Sequence, residues 1–81
     1  MTDYAEELRF VEELKGLPGF SNHFKAEEKA KRLLELLMEK GSQGDDRAVR
    51  TYRFATDVVT SVGSDTMLLE KLKLVEDELK S

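Results

Sequence analysis

Three short breaks containing glycine cut this chain into four stretches, and in each stretch apolar residues recur at every third or fourth position. The breaks are Gly16-Leu17-Pro18-Gly19, Gly41-Ser42-Gln43-Gly44 and Gly63-Ser64. Proline drives the residue before it out of helical geometry, and glycine lets the backbone turn sharply. A spacing of three and four is the signature of a helix that buries one stripe. The pattern predicts an all-α fold, a four-helix array or bundle with helices over about 3–15, 22–40, 45–62 and 65–80, the first of them short.

The expected core follows from the same spacing. It takes Tyr4, Leu8, Val11 and Leu14 from the first helix, and Ala26, Ala30, Leu33, Leu34 and Leu37 from the second. Ala48, Tyr52, Ala55, Val59 and Val62 follow in the third, and Leu68, Leu72, Val75 and Leu79 in the fourth. Thr2, Ser21 or Asn22, Asp45 and Ser64 stand where N-caps are wanted, and Gly63 reads as a left-handed stop. The link Gly63-Ser64 is so short that helices three and four are expected to form an antiparallel hairpin. Leu17 and Phe20 are expected to fold back onto the core. With 81 residues the chain is read as a single helical domain over 1–81, with a modest interior.

Several chemistries lack raw material. There is no cysteine, which removes thiolate nucleophiles, disulfides and cysteine metal sites. The one histidine, His23, opens the second helix, where the helix dipole disfavours a protonated imidazole. The doublets Glu6-Glu7, Glu12-Glu13 and Glu27-Glu28 diverge around their helices instead of converging on an ion, and are read as solvated faces. Gly63-Ser64-Asp65-Thr66 resembles the prosthetic-group turn of acyl carrier proteins, but that turn reads Asp-Ser-Leu and too little chain follows here. Ser64 is therefore read as a cap. The expectation is a protein that is not an enzyme, with no catalytic residues, no metal, no cofactor and no small-molecule substrate.

Charge and hydropathy narrow the partner. Seventeen acids against thirteen bases give a net charge of −4, which disfavours nucleic acid and anionic lipid. Arg47, Arg50 and Arg53 nevertheless recur every three residues, and a nucleic-acid-binding regulator using that face is the alternative reading. Asp46 and Asp57, each four residues from an arginine, are expected to pair with Arg50 and Arg53. The acidic start lacks the character of a secretory signal, and no apolar run approaches the ~20 residues of a membrane span. A cytoplasmic location without membrane insertion is expected.

What remains is a surplus of apolar side chains. Met67 and Leu74 lie well away from the stripe of the fourth helix, and Leu69 projects in a third direction. Leu36 falls among lysines on the polar side of the second helix, while Phe54 and Val58 widen the apolar arc of the third beyond a single core contact. These six are expected to bind a protein partner, the chain itself or a foreign helix or subunit. The function expected is a small interaction module of adaptor, chaperone or regulator type.

Overall fold

The computed structural model describes residues 3–17 and 22–81. Within them lie four helices: α1 (Ala5–Lys15), α2 (His23–Ser42), α3 (Asp46–Thr60) and α4 (Asp65–Lys80). Each packs on two others, in the order α1 on α2, α2 on α3, α3 on α4 and α4 on α1. The protein is thus an all-α four-helix bundle, with α3 and α4 side by side as expected. Cross-helix pairs fix the directions. Glu7 meets Lys40 and Glu13 meets Lys29, so α1 runs against α2; Arg50 meets Glu78, so α3 runs against α4.

Local chemistry accounts for the boundaries. Asp45 and Ser64 are extended, and their side chains accept the backbone N–H groups of Ala48 and Met67 at 3.2 and 3.4 Å. These are the orphan donors of the first turn. At the start of α1 the Asp3 carboxylate accepts from Ala5 N at 2.9 Å. The expected caps Thr2 and Ser21, and the inward turn of Phe20, lie outside the described residues; Asn22 holds the N-cap position of α2. Leu17 does pack against the core.

The left-handed turn lies at Gly44 and not at Gly63. Gly41 does not stop α2, which continues to Ser42. The left-handed residue is Gly44, at φ 97°, and around it Gly44 N donates to Gly41 O and Asp45 N to Lys40 O, both at 3.1 Å. That is a Schellman closure. Gly63 has no positive φ, so it is not the left-handed stop that the sequence suggested. The chain turns there through Ser64 N donating to Ser61 O at 3.0 Å.

The core contains the predicted stripes, with Leu8 and Leu34 packed half-buried at its edge, and with two corrections. All four residues of the α4 stripe are buried, as are Ala26, Ala30, Leu33 and Leu37 of α2 and Val11 and Leu14 of α1. On α3, however, Tyr52 and Val59 are half-buried, while Thr51 and Val58 are completely enclosed. Because α3 packs between α2 and α4, its buried arc is turned toward both neighbours, which brings in the side of the helix carrying Thr51 and Val58. The Thr51 hydroxyl is satisfied by donating to Arg47 O at 2.8 Å. The second correction is Glu7, read from sequence as solvated but fully buried.

Candidate functional site

The six residues expected to bind a partner separate into three groups. Met67, Leu69 and Leu74 are exposed, at 43, 42 and 38%. Phe54 and Leu36 are half-buried, Phe54 packed against the core. Val58 is completely buried and is corrected to a core residue, for the reason that turns α3 inward. Of the exposed three, Met67 and Leu74 share the outward face of α4, seven residues apart. Leu69 points about 140° away from Leu74 toward the α1 side, since each residue advances the helix by about 100°.

Phe54 belongs beside Leu74. The Arg50 Nε to Glu78 Oε1 pair, 3.0 Å, marks one level of the α3–α4 pair. Phe54 and Leu74 each lie one helical turn from that pair on the same side, so they stand level. The result is a short apolar strip of Met67, Leu74 and the edge of Phe54, with Glu70 exposed and Lys71 half-buried along it.

Other exposed apolar residues escaped the sequence pattern. Phe24 is 85% exposed and meets His23 edge-to-face, ring centres 5.9 Å apart. Met38 and Val49 flank a shallow groove of about 280 Å³ between α2 and α3, lined also by Leu37, Gly41, Ser42 and Tyr52. All three lie off the buried stripes of their helices, so the same surplus of apolar residues off the stripe that marked Met67 and Leu74 could have found them. The groove's floor is set by Gly41, where an added Cβ would stand 3.0 Å from Val49 Cγ2.

The arginine face does not assemble as expected. Among the described residues no ion pair joins Asp46 to Arg50 or Asp57 to Arg53; Arg50 reaches across to Glu78 on α4 instead. Arg47 is half-buried, and successive members of the series turn about 60° around the helix, because three residues fall short of a full turn. The three side chains are thus spread over about 120° of the helix surface and do not line up along one narrow face.

The most enclosed polar cluster joins α1 to the corner between α2 and α3. Tyr4 donates its hydroxyl to Asp45 Oδ2 at 2.7 Å, and Lys40 Nζ lies 2.5 Å from Glu7 Oε2 and 4.9 Å from the centre of the Tyr4 ring. Lys40 donates to the backbone carbonyl of Asp3. Burial, aided by the bond to Asp45, pushes the Tyr4 phenol up to about 12, and the same bond holds Asp45 below the usual carboxylate range. Elsewhere Lys15, at 2.7 Å from Glu76, is raised while Glu76 is lowered, and Lys29 lowers Glu13. Apart from Glu7, whose buried carboxylate is matched by the charge of Lys40 without a hydrogen bond, these groups pair with one another. Among the described residues no group of three or more His, Asp or Glu is arranged to hold a metal ion, and no helix is long and apolar enough to cross a membrane.

No known family matches this chain. Curated proteins and solved structures likewise give no match.

Proposed function

We propose that this chain is a protein–protein interaction module whose contact surface is the outward face of α4, with Met67 and Leu74 as anchors and Phe54 at the edge. The supporting observation is that Met67 and Leu74 stay exposed although the stripe Leu68, Leu72, Val75 and Leu79 on the same helix is already buried. Two large apolar side chains on one face, with acids and a lysine around them, fit a helix-face contact. Leu69 and Leu36 lie off this strip and are secondary. The fanned arginines and the charge of −4 give the nucleic-acid alternative no comparable support.

The test is Leu74→Asp, read by circular dichroism, thermal melting and sedimentation over a range of concentrations, with and without a cell extract. The module reading expects lost association, unchanged helicity and a melting midpoint within about 2 °C of the parent, since ~1 kcal/mol moves a domain this small by ~4–8 °C. A large fall in the midpoint would make Leu74 a core residue and remove the reading.

A further inference from the structure

We propose that α1 is a displaceable occupant of the groove between α2 and α4, and that the groove accepts a partner's amphipathic helix with an apolar residue where α1 carries Glu7. The groove is separate from the outward face of α4 and does not depend on it.

The buried residues Tyr4, Glu7, Val11 and Leu14, at the cap and along the inner side of α1, are spaced three, four and three. That is the spacing of one helical stripe. A carboxylate thus holds the second of four inward positions, while its neighbour Leu8 is only half-buried. Neither Glu7 oxygen has a hydrogen bond, and the charge of Lys40, 2.5 Å from Oε2, is its compensation. Enclosing a carboxylate without hydrogen bonds is costly. An apolar side chain at the same place would carry no such cost, so α1 fits its own groove imperfectly.

The remaining ties of α1 are exchangeable. Among the described residues four ion pairs join different helices, and three belong to α1: Glu7 with Lys40, Glu13 with Lys29 and Lys15 with Glu76. Pairs between partly exposed side chains add little and weaken with salt. Among the described helices α1 packs on α2 and α4 alone, so the packing of α3 on both of them survives its departure. With 11 residues it is the shortest of the four, below the ~12–15 at which an isolated helix becomes even marginal.

What the groove already holds defines the partner. Its helix runs against α2, as α1 does, with an apolar stripe at the same spacing. An acid at the Glu13 position meets Lys29, and a base at the Lys15 position meets Glu76. Lys40 is partly exposed and can turn its ammonium to water when an apolar residue replaces Glu7. The partner must displace α1, so its apparent affinity scales with the fraction of chains in which α1 is out.

Two measurements on the full chain test this. In native-state hydrogen exchange, the amides of Val11 and Leu14 should be protected at least about tenfold less than those of Leu72 and Val75, because α1 opens before the rest. The binding probe is a fluorescein-labelled peptide of residues 3–17 carrying Glu7→Leu, read by anisotropy. It should bind the Lys40→Met chain, whose α1 is loosened, below about 100 µM, and the parent about tenfold more weakly. The same peptide with Glu7 retained should bind at least about tenfold more weakly than its Glu7→Leu form. The E7L/K40M chain, whose own first helix now fits, should bind the Glu7→Leu peptide at least about tenfold more weakly than the parent does. That last comparison also serves if Lys40→Met does not fold. Equal protection of α1 and α4, no peptide binding at about 1 mM, or an E7L/K40M chain that binds as well as the parent overturns the inference. Dimers of the parent that exchange their first helices, and that the peptide does not split, make a second copy the occupant and overturn it as well.

Discussion

Glu7 and Lys40 form an ion pair across the α1–α2 contact in which the carboxylate is completely buried, yet neither carboxylate oxygen takes part in a hydrogen bond. The Lys40 ammonium is close to Glu7 but donates to the Asp3 carbonyl. Charge proximity alone thus compensates the buried carboxylate. A buried pair of this kind gives little net stability, while removal of one partner leaves an uncompensated charge. Lys40→Met is therefore expected to cost about 2–3 kcal/mol, below the full range for enclosed pairs because Lys40 is partly exposed. The double change Glu7→Leu with Lys40→Met should recover most or all of that loss. Urea denaturation of the three variants measures both, and a single variant as stable as the parent would contradict the burial of Glu7.

Tyr4 gives the protein an alkaline limit. Its phenol is raised from 10.0 to about 12 in the folded chain, so the folded state holds the proton more tightly than the unfolded one. A group raised in this way contributes stability that is whole below pH ~10 and lost as pH climbs toward ~12. Absorbance of the ionised phenol should show one of the two tyrosines titrating late, and Tyr4→Phe should remove that step. The same variant should cost about 1 kcal/mol at neutral pH through the lost bond to Asp45.

Gly44 and Gly63 should respond oppositely to alanine. Neither has an atom within 4 Å of an added Cβ, so space is not at issue. Gly44 sits at φ 97°, where a side chain strains the backbone, and Gly44→Ala is expected to destabilise by about 1 kcal/mol. Gly63 has no such angle, and Gly63→Ala should be neutral or gain a few tenths of a kcal/mol from a stiffer unfolded chain. Thermal melting of the two variants makes the comparison directly.

Val58 and Leu74 test the division between core and face. Val58→Ala should cost about 2 kcal/mol, as expected for an enclosed aliphatic residue. Leu74→Ala should cost no more than about 0.5 kcal/mol in the monomer. Equal losses at the two positions would erase the surface on which the proposed function stands.

The four helices, the hairpin of α3 and α4, the caps Asp45 and Ser64, and the full stripe of α4 were determined by the sequence, because they depend on interactions within a few residues. Periodicity, side-chain capping and a two-residue link are local properties, and they keep their meaning wherever the helices finally dock. Met67 and Leu74 could be singled out for the same reason, since they lie off a narrow stripe. The burial of Val58 and Glu7, the roles of Gly41 and Gly44, and the pairing of Arg50 with Glu78 were decided only in the tertiary structure. A helix that touches two neighbours buries an arc whose centre depends on where those neighbours lie. A charge finds its partner through space, so Arg50 takes an acid from α4 in place of the one that precedes it by four residues.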